Sequence, residues 1–257
     1  MNDLSPTNPA RHRIERVRHE LKRRVLTVAK VERLVPSMVR VTLAGPDLAG
    51  FVSASYDDHV KLFFPVEGGE PAGRDYTPRR FDPARNELAI DFALHEAGPA
   101  TRWASEARQG DSLTIGGPRG SFVVPDDFDW YLFVGDETAL PAIGRRLEEL
   151  RPGTRSIVVA EVAGPQEELA LPSRSAVEAI WVHRGAAEPG TTTGLEEAVA
   201  RLSLPEGEGY AWVAGEAAIA RRLRRLLVEQ HGQPKEWLKA AAYWTRGRAD
   251  AHGAIED

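Results

Sequence analysis

Hydrophobic and polar positions alternate with a period of two through the first half of the chain. Residues 25–31, 39–43, 60–64, 88–92 and 112–115 follow this pattern, each bounded by Gly, Pro, Asp or Asn. Such alternation, punctuated at short intervals, predicts antiparallel strands in a barrel or sandwich. One segment, residues 99–108, breaks the pattern and predicts a short helix. The second half has a different texture. Residues 130–134, 157–160, 179–182 and 210–214 are continuous apolar runs, as expected of strands buried on both faces. Between them lie helical spacings: Leu140, Ile143, Leu147 and Leu150 share one face, and residues 194–202 and 216–230 carry two further helices. Strand and helix alternate, which predicts an open parallel α/β sheet. The change of texture falls near residues 125–129, a short acidic, turn-rich stretch. It divides the chain into a polar extension (1–20), a β-barrel domain (21–126) and an α/β domain (127–257), and fraying is expected in the extension.

Composition narrows the chemistry. The chain has 257 residues, 42% hydrophobic and 28% charged, the balance of a globular protein. No run approaches the ~20 apolar residues of a membrane span, and the N-terminus lacks the apolar core of a signal peptide, so a cytoplasmic location is expected. There is no cysteine. Disulfides, thiol nucleophiles, Cys-based zinc sites and Cys-ligated iron–sulfur clusters are therefore excluded. The net charge of −5 argues against nucleic acid as a partner. The seven histidines are scattered, and His95-Glu96 lacks the second histidine of a zinc motif, so no metal site is expected.

Three segments carry candidate chemistry. In residues 74–79, Arg-Asp-Tyr-Thr-Pro-Arg, the Tyr76 ring can stack on a flat apolar face and Thr77 can hydrogen-bond a ring nitrogen. Arg79 can pair with a pyrophosphate. A strand whose arginines point to water reads equally well. In residues 91–104, a strand containing Asp91 runs through a Gly-Pro turn into a helix start, where backbone N–H groups favour an anion. A plain connection with Trp103 as a packing residue is the alternative. In residues 135–143, Gly-Asp-Glu-Thr-Ala-Leu-Pro-Ala-Ile, the turn stands where such sheets bind dinucleotide phosphate. Thr138 suits an N-cap or a phosphate contact, although two acids beside the turn oppose phosphate.

Taken together in order, these segments resemble the siderophore-interacting protein family. The resemblance also rests on residues 94–104, on Gly-Pro-Arg-Gly-Ser-Phe (117–122), on Ala-Gly-Glu (214–216) and on Tyr-Trp-Thr-Arg-Gly (243–247). It spans roughly residues 20–250. Glu96 and Ala242 stand where the family often has glycine, and Pro78 where a β-branched residue is common. The family consists of ferric-siderophore reductases that contain FAD and are built like ferredoxin–NADP reductase. The resemblance implies that Arg74, Tyr76, Thr77 and Arg79 bind the flavin and its phosphates. It places Asp91, His95 and the turn Gly98, Pro99, Ala100 and Thr101 along the same cofactor. It further implies that Asp136, Thr138, Ala214, Gly215 and Glu216 line the site for NADH or NADPH.

The chemistry follows from electron count. A nicotinamide gives electrons in pairs, iron(III) takes one, and a flavin can convert between them. Electron transfer of this kind requires no general acid or base, so no catalytic residue is assigned. An anionic ferric siderophore needs a basic pocket, for which Lys61, Arg119 and Arg246 are the candidates. A general NAD(P)H:flavin or acceptor reductase of the same fold and a non-enzymatic siderophore carrier remain as alternatives. The coenzyme stays open: Glu161 at the end of the second parallel strand favours NADH, whereas Arg184 and the arginines of 221–225 favour NADPH. Nothing in the chain demands more than a monomer.

Overall fold

The computed structural model describes residues 11–94, 98–248 and 253–255. In chain order the first half contains β1 (Glu15–Arg18), β2 (Arg23–Val35), β3 (Met38–Ala44), β4 (Val60–Phe64), β5 (Ala72–Tyr76), β6 (Arg80–Asp82), β7 (Glu87–Ala93), helix α1 (Pro99–Glu106), β8 (Ser112–Gly116) and β9 (Gly120–Val123). Seven of these strands form one antiparallel sheet in the order β5-β4-β8-β2-β3-β7-β6. It is an open barrel, with β5 and β6 as edges. The period-two pattern is what curls it around a core. On β4, Val60, Leu62 and Phe64 point inward and are fully buried, while Lys61 and Phe63 face out. Leu26, Val41, Leu88, Ile90 and Ile115 complete the interior. Each such side chain contributes roughly 1.5–3 kcal/mol by leaving water.

The second half contains β10 (Trp130–Asp136), α2 (Leu140–Glu149), β11 (Arg155–Val162), β12 (Ala176–His183), α3 (Gly194–Ala200), β13 (Gly209–Glu216), α4 (Ala217–Glu229), β14 (Leu238–Trp244) and β15 (Gly253–Ala254). Five strands are parallel in the order β12-β11-β10-β13-β14, and β15 adds antiparallel to the far edge. The continuous apolar runs have a plain cause. Along β10, Tyr131 and Phe133 pack into the core beneath α2, while Trp130, Leu132 and Val134 pack on the other face under α3 and α4. Neither face sees water, so both parities must be apolar.

The polar extension departs from expectation. Residues 15–18 are not frayed: they form β1 and pair with β9. Just before it, His12 is buried and stacks on Phe128 with ring centroids 3.8 Å apart. Its ring nitrogens lie 2.7 Å from Asp127 Oδ1 and 2.9 Å from Glu208 Oε2. The segment is tied to the second half of the chain.

Helix α2 locks the two halves together. Arg145 donates to Ser53 Oγ at 2.7 Å and to the Pro78 carbonyl at 2.9 Å. Arg146, buried within the helix face, donates to the Val124 and Pro125 carbonyls. The stretch Thr77-Pro78-Arg79 is thereby held against the α/β half.

Candidate functional site

The β4–β5 hairpin brings the first candidates together. Its register pairs Val60 with Tyr76, Lys61 with Asp75 and Leu62 with Arg74. Alternation then sends Arg74 and Tyr76 to one face and Asp75 to the other. The Tyr76 ring lies 4.5 Å from Phe92 and 6.2 Å from Phe64, and Trp103 packs on both phenylalanines. Trp103 is thus a packing residue, as the plain reading held. Burial pushes the Tyr76 phenol well up, and Arg74 opposes only part of this. Thr77 is 6% exposed.

Helix α1 begins at this wall. Gly98 is its N-cap and provides no side-chain cap, and no acid stands in the first turn. Among the described residues, none comes within 4 Å of a Cβ built on Gly98. The helix's uncapped N–H groups, with Pro99, Ala100 and Thr101, suit an anion. The Tyr76 ring and this helix end meet at the Phe92–Trp103 wall, an aromatic surface beside uncapped N–H groups that suits a flavin and its pyrophosphate, and Arg74 stands on the same face of β5 as Tyr76.

Two assigned cofactor residues are engaged elsewhere. Asp91 is buried in a bidentate pair with Arg40 at 2.6 and 2.8 Å. Arg79 is also buried, and it donates to Glu148 Oε1 on α2 at 2.5 Å with Asp91 at 3.8 Å. Asp91 thus ties β7 to β3 within the barrel, and Arg79 ties the barrel to α2. His95 lies outside the described residues. The Glu148 carboxyl is raised by burial, but Arg79 and Arg80 outweigh this and hold it below the ordinary 4.5. A depressed carboxylate stabilises the fold above the unfolded-state value, and that stability is lost as pH falls through the lower folded value. Glu148→Gln is expected to cost about 2 kcal/mol at pH 7, the worth of a charge-assisted pair. The gap between the two proteins should close below pH 4.5 in urea melts.

A cleft of about 770 Å³ opens between the barrel and the parallel sheet. Lys61 and Arg119 both line it, as do Lys22, Arg23, Asp75 and, from β14, Lys239. Lys61 Nζ stands 3.3 Å from Asp75, and Lys239 forms an ion pair with the buried Asp57. Arg246 does not line the cleft. It is exposed, and its backbone N–H faces Glu216 at 3.4 Å, because the chain turns away after Trp244. The expected convergence of three cations therefore holds for two, and Lys239 is the one that sequence reasoning missed. A signal was present: Lys239 is the lone charge in the apolar strand Leu238–Trp244.

The remaining candidates meet at the carboxyl ends of β10 and β13. The strand continues through Asp136, and the helix N-cap is Ala139, so of the two roles read for Thr138, N-cap or phosphate contact, the structure does not give it the cap. Thr138 instead donates from its N–H and hydroxyl to Asp136 Oδ1. Asp136 Oδ2 accepts from Glu216 N at 3.1 Å and Trp244 Nε1 at 2.8 Å. Gly215 has φ +149, and a Cβ there would stand 2.6 Å from Asp136 Oδ2, so only glycine fits between Ala214 and Glu216. Glu216 caps α4 by accepting from Ala218 and Ile219. Arg184 pairs with Glu137 through two hydrogen bonds of 3.0 and 2.6 Å, both side chains buried. Burial, and then Asp136, push the Glu137 carboxyl up against the pull of Arg184. Glu161 holds Thr192. Of the coenzyme-discriminating candidates, Arg184 and Glu161 are both partnered, and Arg222 of the 221–225 group pairs with Glu196.

The described residues hold no cluster that could bind a metal ion and no helix long and apolar enough to cross a membrane. Comparison with known proteins gives concordant results. The family model described as siderophore-interacting protein matches residues 128–247. That described as siderophore-interacting FAD-binding domain matches 27–72 and 66–122. The NADPH-dependent ferric-chelate reductase of Escherichia coli is 36% identical over 253 residues, covering 90% of this chain and 96% of its own. Ferric vibriobactin reductase of Vibrio cholerae is 29% identical over 248 residues, covering 88% and 90%. The crystal structure of a siderophore utilization protein from T. fusca superposes with a TM-score of 0.87 at 38% identity, covering 93% of this chain and 98% of that one. Identity and coverage at this level place the chain in the siderophore-interacting protein family.

Proposed function

We propose that the protein is an FAD-dependent reductase passing electrons from NADH or NADPH to ferric iron held in an anionic siderophore, releasing iron(II) in the cytoplasm. One observation carries the reading. A cleft lined by Lys22, Arg23, Lys61, Arg119 and Lys239, in a chain of net charge −5, opens against the Lys61–Asp75 face of the hairpin whose other face carries Arg74 and Tyr76. The Escherichia coli and Vibrio cholerae relatives, named for reducing ferric chelates and ferric vibriobactin, support it. So does the FAD-binding family model on the barrel.

Residues 21–126 form the flavin half and 127–257 the nicotinamide half. Arg74, Tyr76 and Thr77 would hold FAD, with its pyrophosphate at the start of α1. Bound there, FAD supplies the conversion of paired electrons into single ones. Asp136, Gly215 and Glu216 shape the nicotinamide site by fixing the β10 and β13 ends. Lys61, Arg119 and Lys239 attract and orient the ferric chelate by charge. Iron(II) is a less charged cation for oxygen ligands, so reduction loosens it without cutting the chelator. All these groups come from one chain, which then works as a monomer. A general flavin reductase has no use for a cationic cleft. Anaerobic titration of the purified protein with NADH or NADPH, then with a ferric catecholate, tests the reading. A colourless preparation that ignores NAD(P)H but binds ferric siderophore would make it a carrier.

A further inference from the structure

Five histidines lie among the described residues, and four of them have a ring nitrogen hydrogen-bonded within the protein: His12, His19, His183 and His231. His59 does not. It stands just before β4, whose Val60 side chain is fully buried in the barrel core. Alternation therefore turns His59 outward, to the face that carries Lys61, and His59 lines the same cleft. Its ring meets the Tyr243 ring of β14 edge-on, with centroids 5.0 Å apart. Tyr243 is itself fixed, since its hydroxyl donates to Asp57 Oδ1 at 2.8 Å. The ring contact holds the imidazole in place and leaves its nitrogens without a hydrogen-bond partner among the described residues.

The charged groups of the cleft frame what this ring can do. Its acids are already engaged: Asp57 with Lys239, Asp58 with Ser53 and Ser121, and Asp75 with Lys61. Its cations, Lys22, Arg23, Lys61, Arg119 and Lys239, draw in an anionic ferric chelate, whose own negative charge then favours an imidazolium beside it. Electron transfer needs no acid, but a chelator oxygen that loses iron does, because unprotonated it rebinds the metal. We propose, resting on the reductase reading above, that His59 is the acid that protonates this oxygen. As iron(III) takes up an electron, an iron–oxygen bond breaks and its electron pair stays on oxygen. The imidazolium N–H gives its proton to that oxygen, and an O–H bond forms. The neutral imidazole recovers a proton from water in the cleft and is ready for the next iron.

His59→Gln keeps a side chain that hydrogen-bonds but has no proton to give near neutrality. Flavin content and the rate of bleaching by NAD(P)H should match the parent protein. Reduction of a ferric catecholate should slow by roughly 100-fold, within the usual range for a lost general acid. Ferricyanide is the control. It is an anion that takes one electron and keeps all its ligands, so it asks for no proton and should be reduced at the parental rate. The ratio of parent to variant rates with the catecholate should fall as pH rises between about 5 and 8, because the imidazolium is the active form and is lost in that direction. His59→Ala, the second variant, should recover catecholate reduction in proportion to added imidazole. Catecholate reduction at the parental rate, or an alanine variant that imidazole does not restore, overturns the proposal. So does equal slowing with ferricyanide, or a ratio that ignores pH, since either would leave His59 only shaping the cleft. Failure of the reductase reading looks different: the parent protein itself, once bleached by NAD(P)H, would pass electrons to ferricyanide but never to the ferric catecholate.

Discussion

Asp136→Ala is expected to remove about 4 kcal/mol of folding stability, because each buried donor left without an acceptor costs roughly 1–3 kcal/mol. The carboxylate is 7% exposed and ties three segments at once: its own turn through Thr138, the β13–α4 turn through Glu216, and β14 through Trp244. Alanine strands the N–H of Thr138, the N–H of Glu216 and the indole N–H of Trp244. Asp136→Asn should cost less, since the amide oxygen still serves Thr138, but its NH₂ must then face two donors. Urea denaturation followed by circular dichroism measures both. A loss below about 1 kcal/mol for alanine, the worth of a single ordinary hydrogen bond, would mean that water replaces the carboxylate and that the hub is not structural. The same substitution loosens the turn around Gly215, so affinity for NAD(P)H should fall with it.

The second large effect concerns the substrate. Lys61→Ala combined with Arg119→Ala should raise KM for an anionic ferric chelate about 100-fold, with kcat and flavin content nearly unchanged. Each charge-assisted contact is worth roughly 1.5–3 kcal/mol, and 1.4 kcal/mol is tenfold. Salt should raise KM in the parent protein and much less in the variant, because screening acts on the charges removed. Arg246→Ala is the control. Its side chain is exposed away from the cleft, so it should leave KM where it was. Lys239 is a poor choice for a simple alanine test: its removal would strand the buried Asp57 charge and unsettle the fold.

Much of the fold was legible because its pattern is local. Alternation along residues 60–64 and 88–92 reports a one-sided sheet directly, and the apolar run of 130–134 reports a two-sided one. The flavin-binding candidates are equally local, since Arg74 and Tyr76 sit on the edge strand β5 and Thr77 directly follows it. The cleft was not, since it is assembled from β4, the turn before β9 and β14. Only folding reveals that Lys239 rather than Arg246 completes it. Ion pairing was equally hidden. Arg79 reads as a phosphate ligand until α2 delivers Glu148 to it, and Asp91 reads as a site residue until β3 delivers Arg40. His12 looked like part of a loose polar tail, yet its carboxylate partners lie 115 and 196 residues away. A single sequence holds no mark of such distant pairs.

The most direct test of the central claim is an anaerobic titration followed on the flavin spectrum. One equivalent of NADH or NADPH should bleach the bound flavin, and two equivalents of a ferric catecholate should restore it, because each iron(III) takes a single electron. Bleaching that ferric chelate does not reverse, or a flavin that NAD(P)H never bleaches, would contradict the account.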